Sequence, residues 1–232
     1  MTEFLNFLHH FVFGIYPYIA LSIFLLGSLV RFEREQYTWR SESSQLLKRG
    51  NLRIGSICFH IGIISLFLTH LVGLLTPVEV YHAFGLTAGA KQMMAVVVGA
   101  ALGLLCLFGL LVLIHRRFAE PRIRAVTTLG DKVLLVWLLI TLSLGLTSIF
   151  TSAHHLDGHV MILLGIWAQH IVTFRGDAAD IIRNVPTIYC LHMFMGMTLF
   201  VIFPFSRLVH VWSGFGSTTY LIRAWQLVRP RS

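Results

Sequence analysis

Five apolar runs, at about residues 5 to 30, 55 to 76, 92 to 114, 133 to 152 and 187 to 211, are each long enough to cross a bilayer. A spanning helix needs about 20 mostly apolar residues. Lipid offers the backbone no partner but its own carbonyls, so each run must be helical. The chain of 232 residues is 56% hydrophobic and 12% charged, with a mean hydropathy of +0.77, which excludes a soluble domain of this length. The expectation is an all-α integral membrane protein with five transmembrane helices within residues 1–212 and a short tail, 213–232, too small for a domain. A cleaved signal peptide is not expected, because Met1-Thr2-Glu3 supplies no basic start and the first run exceeds the usual roughly 7 to 15 apolar residues.

Net charge is +8, and its distribution matters more than its size. Arg31, Arg34, Arg40, Lys48, Arg49 and Arg53 lie between the first two runs, and Arg116, Arg117, Arg122, Arg124 and Lys132 between the third and fourth. Arg207, Arg223, Arg229 and Arg231 follow on the C-terminal side, whereas Lys91, Arg175 and Arg183 stand alone on the opposite face. Such asymmetry puts the basic loops in the cytoplasm, the N-terminus outside and the C-terminus inside. It explains the positive charge without nucleic-acid binding.

His60, His70, His192 and His210 fall within the second and fifth runs. Ionisable side chains at membrane depth are rare and normally mark function. The two helices run in opposite directions, so depth pairs His70 with His192 near the outer face and His60 with His210 near the inner one. Zinc ligands on one helix sit at i, i+3 or i+4; the spacings here cannot converge on one small ion. A porphyrin instead accepts one axial imidazole from each of two facing helices. The reading is therefore two haems, each held by two histidines, and non-covalently, since Cys58, Cys106 and Cys190 form no haem-attachment motif. Gly62, Gly73 and Gly196 are candidate points of close approach for the macrocycle. A single membrane histidine is commonly a hydrogen-bonding helix contact; four that pair by depth are not.

The spacings are unequal. His192 and His210, on an unbroken helix, would share a face about 27 Å apart, against about 15 Å for His60 and His70. A bend or strong tilt is expected at Pro204.

The segment VMILLGIWAQHIVTF, 160–174, is apolar but would cover only about 22 Å as a helix. It is read as an interfacial or re-entrant helix on the outer face, beside a loop with His154, His155, Asp157 and His159. These histidines, with His9, His10, His82, His115 and His170, are assigned no ligand role. Tyr16, Tyr18, Tyr37 and Trp212 read as interface anchors.

The runs IYPYIA (15–20), QYTWR (36–40), FHIGI (59–63), GLLTP (73–77), IVTFRG (171–176) and GMTLFVIFPFSRLVHVWS (196–213) resemble the gamma subunit family of respiratory nitrate reductase across nearly the whole chain. The resemblance implies a dihaem cytochrome b of the bacterial or archaeal inner membrane. Such a subunit oxidises quinol near the outer face and passes electrons inward to an iron-sulfur beta subunit, which serves a molybdenum-containing alpha subunit that reduces nitrate. It implies His70 and His192 as ligands of the outer haem iron and His60 and His210 of the inner one. Lys91 matches a lysine implicated in quinol binding; on its own it would read as a lysine snorkelling from a helix end. Where the family is expected to carry glycine before the outer ligand this chain has Thr69, whose hydroxyl could narrow the pocket or bond a helix carbonyl. Arg53, Arg207 and the 116–124 loop are candidates for the inner propionates or for docking, and the 213–232 tail for the iron-sulfur subunit.

Two rival readings remain at this level. One is the cytochrome b of another quinone-linked complex, such as a hydrogenase, a formate dehydrogenase or a sulfite-reduction-associated enzyme. The other, from a different class, is a transporter or proton channel with a histidine relay.

Overall fold

A computed structural model describes residues 2–35, 52–154 and 157–212. QYTWR, Tyr37, His155 and the 213–232 tail, with the docking role expected of it, lie outside the described residues. All regular structure among the described residues is helical.

Among the described residues five helical stretches are long and apolar enough to cross a membrane: Glu3–Arg34, Leu52–Leu75, Ala88–Ala119, Leu129–Ala153 and Thr187–Phe205. The protein is a multi-pass membrane protein. The first stretch comprises α1 (Thr2–His10), a π-helical turn (Phe11–Ile15) and α2 (Tyr16–Glu35). The others are α3 (Leu52–Leu75), α5 (Ala88–Ala119), α7 (Leu129–Ala153) and α10 (Thr187–Ile202), the last continued by a 3-10 turn (Phe203–Phe205). Short helices α4 (Val78–Ala83), α6 (Pro121–Ala125), α8 (His159–Val172) and α9 (Ala178–Ile181) occupy the connections. The third helix overshoots the sequence boundaries at both ends. Its start is set by Thr87, which accepts from the Ala90 amide, and it stops at Glu120, before Pro121. Hydropathy alone misses the polar first and last turns.

Helices pack in the order α3, α5, α7, α10, α2. The α3–α5 contact is built on small residues, as expected where lipid removes the hydrophobic drive for association. A Cβ on Gly62 would lie 2.6 Å from Cys106 Cβ and 2.7 Å from Cys106 Cα. One on Gly109 would fall on the backbone of Phe59 and Gly55. Gly62 therefore serves helix packing, not close approach of a macrocycle, and the sequence reading is corrected there. Gly73 and Gly196 do stand clear, with nothing within 4 Å of the space a Cβ would take.

The π-helical turn precedes Pro17, which cannot donate to the carbonyl of Phe13 four residues back. Trp167 Nε1, on α8, donates to that carbonyl at 2.9 Å. Gln169 Nε2 donates to Leu74 O, at the end of α3, at 3.1 Å. Helix α8 is thus tied to the π-helical turn of the first span and to the end of α3, with Gly165, Trp167, Ala168 and Ile171 buried. Its 14 residues are too few to cross. Tyr16, expected as an interface anchor, instead joins helices: its hydroxyl lies 2.9 Å from Thr198 Oγ1 on α10. Trp212 packs against Phe24 and Phe203.

At Pro204 the α-helix of the fifth span ends. The last α-helical residue is Ile202, the 3-10 turn follows, and Ser206 is extended (φ −117°, ψ 178°) before a second 3-10 turn, Arg207–Val209. Pro204 lacks an amide proton, and its ring excludes the carbonyl four residues back. Residues 203–211, expected inside a continuous helix, form this broken segment and the first residues after it. Arg31 of α2 holds it, donating from one guanidinium nitrogen to the carbonyls of Pro204 (2.7 Å) and Ser206 (3.0 Å).

Candidate functional site

The chain brings the four membrane histidines together in two pairs. The rings of His70 and His192 have centroids 6.0 Å apart, inclined at 49°. Those of His60 and His210 are 5.9 Å apart, at 74°. The first pair lies toward the end of the bundle that carries α8, the second toward the opposite end. Helices α3 and α10 are not a closely packed pair; they face one another through these rings.

Every one of the four rings is fixed at Nδ1 by a main-chain carbonyl. His60 meets Ser56 O at 2.7 Å, His70 meets Leu66 O at 2.7 Å, His192 meets Thr141 O at 3.0 Å and His210 meets Arg207 O at 2.6 Å. A carbonyl only accepts, so Nδ1 carries the proton and Nε2 the lone pair. That is the tautomer a metal requires, with the other nitrogen anchored in the manner usual for metal-bound histidine. A metal between two imidazoles, at the roughly 2 Å usual for histidine nitrogen, sets ring centres roughly 6 Å apart. Both pairs have that separation. Two facing imidazoles at this separation are a donor set that would suit the iron of a haem.

Two residues of α7 shape the position of His192. Thr141 supplies the carbonyl, and Gly145 supplies room: a Cβ there would lie 2.8 Å from His192 Cε1. Neither was named from sequence, where both are unremarkable residues of an apolar run. The opposite pair depends on a different device. His210 follows the broken end of α10, and Arg207 Nε donates to Asp131 Oδ1 at 2.6 Å, with a second guanidinium nitrogen on the same oxygen. Asp131 also takes Arg117 of α5 at 3.4 Å and, with Thr128, forms a capping box at the start of α7. One carboxylate therefore ties α5, α7 and the turn before His210. Arg207 and Arg117, read from sequence as candidates for propionates or docking, pair with Asp131. Thr128-x-x-Asp131 is a legible capping motif; nothing in the sequence connects it to residue 207.

Lys91 sits in the first turn of α5, on the α8 side of the bundle, with Nζ 4.1 Å from the centre of the Tyr81 ring on α4. The contact is a cation–π one. Thr69 Oγ1 donates to Leu66 O at 2.9 Å, which is the carbonyl bond anticipated from its hydroxyl.

Comparison with known proteins bears on this geometry. Residues 9–231 match the family described as nitrate reductase gamma subunit. The chain is 48% identical over 227 residues to the respiratory nitrate reductase 1 gamma chain of Escherichia coli (strain K12), covering 98% of this chain and 100% of that one. It is 45% identical to the respiratory nitrate reductase 2 gamma chain of the same organism, covering 98% and 99%. The nitrate reductase gamma chain of Bacillus subtilis (strain 168) is 34% identical, with 95% and 98% covered. Five spans, the paired histidines and full-length similarity lead to one conclusion: this chain belongs to the nitrate reductase gamma subunit family.

Proposed function

We propose that the chain is the membrane cytochrome b subunit of a respiratory nitrate reductase of the bacterial or archaeal inner membrane, with its N-terminus outside and C-terminus in the cytoplasm. In this reading it oxidises quinol near the outer face and delivers the electrons inward to an iron-sulfur beta subunit, which supplies a molybdenum-containing alpha subunit. The observation that carries it is the pair of histidine couples, each about 6 Å between rings with Nδ1 bound to a main-chain carbonyl. His70 and His192 would hold the outer haem b and His60 and His210 the inner one. Bound there, the two groups supply one-electron carriers at two depths.

The remaining work falls to the chain itself. Carbonyls of α3, α7 and the turn before His210 hold Nδ1 of each ring and turn Nε2 toward the partner histidine's side of the pair. The basic residues, concentrated at the end with Asp131, support the cytoplasmic placement of that end. Quinol oxidised at the other end would release its protons outside, so the electrons alone cross the dielectric. Lys91, on that side, is the candidate donor to a quinol oxygen, with the Tyr81 face holding its ammonium in place.

The test is a dithionite-reduced absorbance spectrum of the purified complex and of single histidine variants. Two b-type haems are expected in the native complex. His70→Ala and His192→Ala each remove one of them, and His60→Ala and His210→Ala each remove the other. No b-type absorbance would overturn the reading in favour of a histidine relay, and loss of the same haem from the His60 and His70 variants would overturn the pairing. Lys91→Ala is expected to slow quinol oxidation with both haems retained.

A further inference from the structure

The carbonyl oxygen of Leu66 serves two side-chain donors: His70 Nδ1 at 2.7 Å and Thr69 Oγ1 at 2.9 Å. A hydroxyl bonding back to the previous turn is ordinary in a helix. Thr76 bonds Val72 O, Thr147 bonds Ser143 O and Thr198 bonds Phe194 O in the same way. What separates Thr69 from these is the acceptor, which is the atom that anchors a paired histidine. On the other side of the pair the arrangement differs. His192 is held by Thr141 O, while the Thr141 hydroxyl donates elsewhere, to Trp137 O.

Hydrogen bonding from the far nitrogen of a ligating histidine sets how strongly the near nitrogen donates to a metal. A carbonyl oxygen shared with a second donor has less charge to offer the first. His70 Nδ1–H is then held more weakly, Nε2 is a poorer donor, and the oxidised, more positive iron is stabilised less. We propose that Thr69 is a positioning residue that acts through Leu66 O on His70 and raises the reduction potential of the haem held by His70 and His192. This rests on the haem reading above. Functionally, a higher potential on the quinol side makes removal of each electron from quinol more favourable, at the expense of the onward step.

Three substitutions test it in the intact complex in membranes, by redox titration of the two b-type absorbances. Thr69→Val keeps the branched shape and removes the hydroxyl; Thr69→Ala removes the hydroxyl without crowding a macrocycle; Thr69→Ser keeps the hydroxyl. Expected at a fixed ambient potential is a fall of about three- to tenfold in the reduced-to-oxidised ratio of the His70–His192 haem in the valine and alanine variants. A tenfold change corresponds to about 59 mV for one electron. The other haem stays unmoved, and the serine variant titrates as the parent. Unchanged potentials in both hydroxyl-free variants, or an equal shift in the serine variant, would overturn the role of Thr69 alone. A parent complex without two b-type haems would instead overturn the reading on which it rests.

Discussion

The main-chain oxygen of Arg207 accepts the Nδ1 proton of His210 at 2.6 Å, while the Arg207 side chain is bound to Asp131. His210 follows a break in the helix, so the ordinary source of rigidity, an unbroken ladder of backbone bonds, is missing there. Ion pairing at one end of Arg207 fixes the carbonyl at the other. The histidine is positioned by a carboxylate that it does not touch.

Asp131→Asn should therefore act at a distance. The variant leaves Arg207 and Arg117, both mostly buried, without the carboxylate that compensates them. Breaking one side of such a pair costs about 2–4 kcal/mol. On the haem reading proposed above, the expected result is a lower melting temperature and a complex that keeps the haem proposed at His70 and His192 but loses, or alters the low-spin spectrum of, the other. Unchanged melting together with two unaltered haems would show that the Arg31 clamp on Pro204 and Ser206 is sufficient.

Much of the architecture was legible because lipid imposes it. Apolar length located five spans, and opposite helix directions paired the histidines by depth before any contact was known. The Nδ1 partners were not legible, since His192 and Thr141 are brought together by helix packing that no local pattern encodes. Pro204 announced a disturbance, but the sequence could not distinguish a kink from an end. Arg31, reaching from another helix to the freed carbonyls, makes the end tolerable. Gly62 misled for a related reason: a glycine beside a candidate ligand reads as room for a cofactor until Cys106 is seen against it.

Gly145→Ala tests whether space on α7 orients His192. The added methyl would meet Cε1 at 2.8 Å and both ring nitrogens at 3.4 Å, closer than real Cβ contacts allow at the first of these. A ring pushed aside loses its bond to Thr141 O as well. We expect the haem proposed at His70 and His192 to be lost or to change its electron paramagnetic resonance spectrum, with a stability loss of about 1–3 kcal/mol. An unaltered spectrum would mean that α7 yields instead of the ring.

Trp167 and Pro17 should be energetically coupled through Phe13. Trp167→Phe keeps the aromatic body and removes the donor, leaving a buried carbonyl that Pro17 cannot serve; the cost is about 1–3 kcal/mol. Pro17→Ala restores an amide proton in that stretch. A double-mutant cycle on thermal stability should give a coupling of about 1 kcal/mol, with the alanine softening the effect of the phenylalanine. Strict additivity would show that the indole bond to Phe13 O matters for orientation of α8 and not for the missing donor.

The tie between the N-terminal helix and α9 should weaken in acid. Arg183 donates to Asp180 at 2.8 Å and to Asn6 at 2.9 Å, and His10 lies 3.9 Å from Asp180. The Arg183 hydrogen bond holds the Asp180 carboxyl below its ordinary value of 3.8. A depressed folded-state pKa means that the contribution is present above the ordinary carboxylate value and is lost as pH falls through the lowered one. The group is solvent-exposed, so the effect is local and screened by salt. Hydrogen exchange over residues 2–10, corrected for intrinsic rates, should accelerate as pH is lowered below 3.8, and this acid step should be smaller at high ionic strength. Asp180→Asn should exchange faster already at neutral pH and show no acid step. An identical acid step in that variant would show that the loosening does not arise at Asp180, and the Arg183–Asp180 bridge would then have no part in anchoring α1.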